Sequence, residues 1–525
     1  MMKSILLGTL ALGLALALPA AAQEGIMPKG AVVAVKVGSL EKYDGLLQRI
    51  ASLTGEEMDD AQLPITRFHS MAGVDRKKPF YIFLSPPAMS PLFAMPLSSG
   101  DAFAQGAKFP GFQPQVKGDY GLLGMGGPMP EMGGKGLAGM PAGDVVIRLF
   151  GSRAMQTFGG QLTQYKMLVG MMTMGMGPEK SGAVSKLYDK VMVLAGQVEK
   201  LDLHLVDGAR MEIGLSLHPL AGSDLAGLHK VLGAGAIPPG LDTKAMLWFC
   251  NQAKVQGELP GLIKEIADLY AKAGLGSPRN EKTRAWGDMA WTSLNLTPGV
   301  GLTGSVAYTV NDRKVLEKAM SSKEGMVDLL SAFIPDLTGG MPGMEIPGGM
   351  PQPKEMVKEW LGKMEYEPKA LEVGGTSLHR MSITLDSMLE MVEEKPDKED
   401  MEMMRRIMGG NRMSLWLGFR GGNLVGAVGP PAEAEKVFGG LPASSLPAFA
   451  RGALVSGRWS LGPMLQAVKE MGALQEPVTG EEGKEKKVVF PECPMRFTFT
   501  KGSDSLAGRL TLDPAELARI IELMK

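Results

Sequence analysis

The feature that most constrains this chain is an internal rhythm, in which an apolar strand of period two hands over directly to an amphipathic helix. It occurs first at Ala31, Val33, Val35 and Val37, after which Ser39 offers a helix N-cap before Leu40, Tyr43, Leu47 and Ile50. Val145, Ile147 and Leu149 form the second strand, with Ser152 as cap and Met155, Phe158, Leu162, Tyr165 and Val169 as the helical stripe. The third, Ala245 to Asn251, leads into Leu259, Leu262, Ile263, Ile266 and Tyr270. The fourth, Gly452 to Ser460, leads through Ser460 into Leu461, Met464, Leu465 and Val468.

A second pattern alternates with the first: two short strands around a turn, then a helix start. It is read at Pro79 to Ala104, at Leu201 to Leu228, at Thr292 to Met320 and at Arg496 to Met524. Further hairpins lie at Ala370 to Val392 and Met413 to Val437. In the last copy Asp513 caps, Pro514 suits the first helical position and Glu516 the third. Strand, helix, hairpin, helix is thus a recurring unit, and chained units give β-α-β-β-α-β segments. Each strand pairs an apolar face with a polar one, which predicts helices on one side of the sheet and water on the other. Arg148 and Val146 fall on the expected outer face. The fold class is therefore α+β, with mainly antiparallel twisted sheets covered by helices on one face. Two lobes are expected, residues 23–235 and 236–525, divided near Gly233 to Gly240.

At the N-terminus Lys3 and the apolar run Ile5 to Leu18 precede Pro19-Ala20-Ala21-Ala22, the pattern of a cleavable signal peptide over residues 1–22. The mature protein is expected in the periplasm or outside the cell. No later stretch reaches the length of apolar chain a transmembrane helix needs.

Composition enters where it excludes. With 55 basic and 56 acidic residues the formal net charge is −1, which does not predict a nucleic-acid partner. Export permits a disulfide between Cys250 and Cys493. The simpler expectation is two buried thiols that do not meet, since pairing cannot be deduced from sequence. Gly and Pro concentrate in Gly121 to Gly143, Gly170 to Pro178 and the Met-containing stretch 335–353, all read as long loops. Glu393 to Glu402 and Glu476 to Lys487 read as solvated connectors or helix ends.

The segments "PKGAVVAVKVGSLEKYDGLLQRI", "GVDRKKPFYIFL" and "ALEVGGTSLHRMSITLD" give the chain a diffuse resemblance to a group of exported bacterial proteins with paired lobes. Many of that group come from planctomycete-type genomes, and they carry a domain-of-unknown-function label. The resemblance implies export and architecture, and transfers no activity.

Chemistry is sparse. Ser39 to Lys42 has S-x-x-K spacing, but the accompanying Ser-Asp-Asn and Lys-Thr-Gly elements are missing, so Ser39 is read as a cap. There is no G-x-S-x-G, H-E-x-x-H, Walker loop or dinucleotide fingerprint, and the chain is read as non-catalytic, without a cofactor. Among His69, His204, His218, His229 and His379, the hairpin register expected from a turn at Asp207 to Ala209 places His204 beside Glu212 and leaves His218 further along. Both are read as surface histidines, because zinc requires convergent ligands.

Met is frequent, at 40 residues. Met167, Met171, Met172, Met174 and Met176 cluster in one stretch, and Met125, Met129, Met132 and Met140 lie in the preceding Gly-rich segment. Exported thioether clusters can select Cu(I), which makes the first five candidate metal ligands. Met also serves as an adaptable filler, as in the stripe Met388, Met391, Met401, Met403, Met404 and Met408. Three functions follow: a cell-envelope interaction or scaffold protein, first; a carrier of a hydrophobic ligand; and a Cu(I)-binding protein. The partner is an unspecified protein or apolar ligand.

Overall fold

The structure, a computed structural model, describes residues 24–43, 45, 71–86, 89–107, 112–125, 128–235, 241–273, 285–297, 299–331, 353–390, 396–439, 446–470 and 489–524. The expected leader 1–22, His69, Leu47 and Ile50 lie outside them, as do residues 236–240 of the expected break, nearly all of 335–353, and Glu476 to Lys487. The described chain is α+β, and its long-range pairing is antiparallel.

Two compact units emerge. One contains Met192–Lys230, Lys501–Ile521 and the described residues up to Gln164; the other contains Tyr165–Val191, Val231–Thr500 and the last residues. This division departs from lobes at 23–235 and 236–525. The segment Tyr165–Val191 packs with the second unit, and the C-terminal strand packs with the first.

In the first unit the strands are β1 (Val33–Val37), β2 (Phe80–Ser85), β3 (Ser90–Pro96), β4 (Phe112–Lys117), β5 (Tyr120–Met125), β6 (Val145–Leu149), β7 (Val198–Asp207) and β8 (Met211–Pro219). Their antiparallel order is β4-β5-β3-β2-β1-β6-β7-β8. In the second unit, β9 (Leu232–Ala234) and β11 (Ala253–Val255) form a small ribbon. The remaining strands there are β10 (Leu247–Asn251), β12 (Trp286–Thr297), β13 (Gly301–Val310), β14 (Glu365–Val373), β15 (Thr376–Thr384), β16 (Arg412–Arg420), β17 (Asn423–Val428), β18 (Val455–Ser460) and β19 (Pro494–Lys501). They run β14-β15-β16-β17-β13-β12-β10-β18-β19. Finally β20 (Leu506–Leu512) adds to β8 in the first unit, pairing Gly508 with Leu215 and Leu510 with Ile213.

Each sequence-read hairpin in the described residues is present and is followed by a helix, as with β2 and β3 before Gly100–Gly106 and β16 and β17 before Pro431–Gly439. The local reason is turn and cap chemistry. Ser39 accepts a hydrogen bond from Lys42 N (3.1 Å), and Asp513 accepts from Ala515 N and Glu516 N (3.0 and 3.1 Å). Two expected caps fail. The second helix, Gly151–Met172, already includes Ser152, and the Ser460 hydroxyl is buried without a hydrogen bond.

The expectation of a one-sided sheet does not hold in the first unit. Val33, Val35 and Val37 share a face with Val145, Ile147 and Leu149, while Ala34 and Lys36 share the other with Val146 and Arg148. The second face is the more completely buried: Val146 is fully buried and Arg148 is 1% exposed, whereas Ile147 is only half-buried. The cause is the segment 128–143, part of the stretch Gly121 to Gly143 read from its glycines as a long loop; the start of that stretch, Gly121 to Met125, is instead strand β5. Segment 128–143 lies across that face, sinking Leu137 and Met140 into the core and pairing its backbone with Met27 and Lys29. At the far end of the opposite face, Phe103 of the Gly100–Gly106 helix covers Gly121 so closely that a Cβ there would meet its ring at 2.5 Å.

One edge strand of the sheet in each unit is protected. Edge strand β4 carries Pro114, and edge strand β14 carries Pro368, three glutamates and a register shift between Glu367 and Leu371. Each device disfavours the addition of another strand.

Candidate interaction surface

Two constellations stand out, one buried and one exposed. The buried one grows from single charges in otherwise apolar strands: Lys36 in β1, Arg148 in β6, and Asp202 in β7. Register sets Arg148 opposite Asp202. The guanidinium grips the carboxylate with two parallel bonds, Nε to Oδ1 at 2.7 Å and Nη2 to Oδ2 at 2.6 Å. Its remaining N–H groups donate to the carbonyls of Gly136 (2.6 Å), Ala138 (2.9 Å) and Gly139 (3.0 Å). All five donors of Arg148 are therefore used, and the side chain ties the covering segment to the sheet. Lys36 is 1% exposed and donates to the carbonyl of Pro141 (3.3 Å). Burial, followed by the Arg148 charge, lowers its pKa to about 8 against the pull of Asp202.

His204 lies on the same face, and the observed register pairs it with Gly214 rather than Glu212. The turn is displaced by one residue, to Gly208–Arg210, so each strand keeps its faces while the pairing moves by two. The imidazole lies flat over Gly214, where a Cβ would come within 2.1 Å of the ring, and Glu212 is met diagonally at 3.6 Å. Burial holds the His204 pKa below its ordinary value, with Glu212 pulling the other way. His218 pairs with Lys200 and stands 3.7 Å from Asp202. His229 sits between the carbonyls of Gly502 and Ser505, 3.2 Å from each, and His379 hydrogen-bonds Tyr366 (2.9 Å). Among the described residues no three His, Cys, Asp or Glu side chains are grouped to hold a metal ion.

Lys42, the last residue of the S-x-x-K match, pairs with Asp144 (2.5 Å), while Ser39 serves as a cap. Cys250 and Cys493 are both buried thiols that form no disulfide, and burial pushes the Cys250 thiol up to about 12. Register explains the separation. Cys250 pairs with Ser456 of β18, whereas Cys493 precedes Pro494, which pairs with Ser460 at the other end of that strand.

The exposed constellation is the candidate surface. In the Gly151–Met172 helix and the turn after it, Tyr165, Met167, Leu168, Met171, Met172 and Met174 are each 51–77% exposed. At about 100° per residue the five helical members span one continuous arc. The opposite side carries Lys166, which pairs with Asp189 (2.7 Å), and Thr173. Thr173 is buried, donating to Val169 O (3.0 Å) and meeting Ser181 Oγ (3.1 Å), so the stretch read as a loop at Gly170 to Pro178 is a helix end and a pinned turn. The next helix, Pro178–Gly196, begins with Pro at its first position.

The methionines thus divide. Met140 is buried and Met129 and Met132 pack against the first core, while Met408 is buried and Met388 packs in the second unit, as a filler does. Met167, Met171, Met172 and Met174 fill nothing; they form the outer edge of a helix, with Met176 half-buried beside them. An open recess of about 330 Å³ is lined by Leu269 and by Lys186, Lys190, Lys272, Asp189, Glu265 and Asp268, with Lys190 paired to Glu265 (2.5 Å).

Comparison with known proteins gives little. No family model and no curated protein matches the chain. Two solved crystal forms of TP0453 are similar at 11% and 12% identity, covering 40% and 37% of this chain and 88% and 78% of theirs. Their TM-scores are 0.19 and 0.18, and likeness at that level carries no inference.

Proposed function

We propose that this protein is an exported, non-catalytic interaction or scaffold protein of the cell envelope, and that the Tyr165 to Met174 surface is its contact element. The observation that carries this reading is the outward exposure of six large apolar side chains on one helix and its turn. Water penalises such a continuous apolar arc unless a partner covers it. The protected sheet edges support a helical rather than a strand-addition contact.

Duplication is part of the proposal. β1 lies between β2 and β6, and β10 lies between β12 and β18. In each case a helix and a hairpin follow the central strand in sequence. A duplicated scaffold creates surface, and the six exposed side chains give that surface a use.

The test is fractionation of cells expressing the full gene. Residues 1–22 should be removed, and the mature chain should be retained with envelope material. A folded variant carrying Leu168→Gln, Met171→Gln and Met172→Gln should be released. Retention of the variant at the wild-type level refutes the surface, and an intact N-terminus refutes export.

A further inference from the structure

We propose that Met167, Met171, Met172 and Met174 form a reversible oxidation site, at which a peroxide turns the apolar arc polar while the fold around it stays intact. The chemistry needs no partner; only its effect on envelope retention rests on the contact reading.

Accessibility singles these four out. Each is between 52% and 77% exposed, and no other methionine whose burial the structure describes is exposed. Others are sealed in the cores, as Met27, Met326 and Met381 are at 0%. The usual competitor for an oxidant is a thiolate, but Cys250 and Cys493 are buried, and burial pushes the Cys250 thiol up to about 12. Among the described sulfurs a two-electron oxidant therefore reaches these four first, and it finds them on one helix and its turn.

The step is oxygen transfer. A sulfur lone pair attacks one oxygen of hydrogen peroxide, and the S–O bond forms as the O–O bond breaks. The departing hydroxide takes the proton left on the sulfur-bound oxygen, giving sulfoxide and water. Sulfur gives up two electrons and the peroxide gains them. A flexible apolar chain thereby becomes a polar, chiral one. Two thiols reverse the change, joining as a disulfide while the oxygen leaves as water, which is the reaction methionine sulfoxide reductases catalyse.

Position confines the consequence to the surface. At about 100° per residue Met171 stands about 40° round the helix from Met167 and Met172 about 140°, on the side away from Lys166 and Thr173. Those two tie the helix to the next one through Asp189 (2.7 Å) and Ser181 Oγ (3.1 Å), groups that peroxide leaves unchanged. Sulfoxides on the outer arc therefore require no rearrangement of the core.

The experiment is hydrogen peroxide treatment of the purified full chain, mapped by peptide mass spectrometry and followed by retention on a phenyl column. Met167, Met171, Met172 and Met174 should each gain one oxygen at least about tenfold faster than Met27, Met326 and Met381. The oxidised chain should elute earlier with an unchanged circular dichroism spectrum, and methionine sulfoxide reductase with dithiothreitol should restore its retention. The column behaviour of Met167→Leu/Met171→Leu/Met172→Leu/Met174→Leu should not respond to peroxide, because leucine has no sulfur to oxidise. Oxidation of the four no faster than of Met27, loss of the folded spectrum, or an equal response in the Leu variant overturns the inference. Envelope binding separates the two readings: peroxide should weaken it at least about tenfold, the worth of one buried methionine side chain. Untreated chain that fails to bind refutes the contact element while the oxidation site stands on the column and mass data. Treated chain that binds as well as untreated chain refutes control of the contact by oxidation.

Discussion

Asp202→Asn tests the structure at its most demanding point. The substitution preserves shape and removes one charge, so no cavity confuses the result. Asp202 is fully buried and Arg148 is 1% exposed, and they share two bonds of 2.6 and 2.7 Å. The asparagine amide can accept from one guanidinium N–H but turns a donor toward the other, and Arg148 keeps its charge without a counter-ion. Breaking a buried pair by removing one partner costs about 3–5 kcal/mol. Because two units do not guarantee two-state unfolding, the measurement is hydrogen exchange of β6 and β7 amides under native conditions, read by mass spectrometry. Exchange there should accelerate by roughly two to four orders of magnitude, since each 1.36 kcal/mol is tenfold. Arg148→Met should be at least as damaging, for it also abandons the carbonyls of Gly136, Ala138 and Gly139. The double variant Arg148→Met/Asp202→Leu should recover part of the loss, because neither member of the pair is left buried without the other. A loss within about 1 kcal/mol for Asp202→Asn, the worth of an exposed pair, would refute the claim that this pair is desolvated.

Lys36 gives a pH signature. Its folded pKa lies at about 8, below the ordinary 10.5, so the unfolded chain binds more protons between those values and stability should rise with pH across that window. Unfolding followed from pH 7 to 10.5 should show the rise in the wild type and lose it in Lys36→Met; an unchanged profile refutes the assignment. Val146→Asp should lower the melting temperature more than Ile147→Asp, the reverse of the sequence pattern, because Val146 is fully buried and Ile147 only half-buried. Replacing Met171, Met172, Met174 and Met176 by Leu should preserve partner binding, since Leu is equally apolar and of similar volume. Tight Cu(I) binding by the wild type, lost in that variant, would show instead that the thioethers act as ligands. Cys250 and Cys493 should resist alkylation until the second unit unfolds; labelling of either thiol at the rate of a free peptide would contradict their burial.

Local sequence was enough to locate most strands and helices, because their signals are local. Alternation in Val33 to Val37, turns between paired runs, and the Asp513-Pro514 helix start each need only a few neighbouring residues. The same holds for the hairpin faces: a two-residue change of register left His204 on the face where alternation had put it. The helix was legible too, as was the clustering of Met167 to Met176, but Tyr165, read into the inward stripe with Met155, Phe158, Leu162 and Val169, is 58% exposed. What tertiary structure alone decided was which faces meet water. A charge within an apolar strand reads as a solvent-facing position, yet Arg148 and Asp202 are buried because distant carbonyls at Gly136 to Gly139 complete their bonding. Likewise, a methionine stripe looks the same in sequence whether it fills a core or forms a surface. Burial depends on what packs against a face, and Met171 and Met172 are exposed among the described residues.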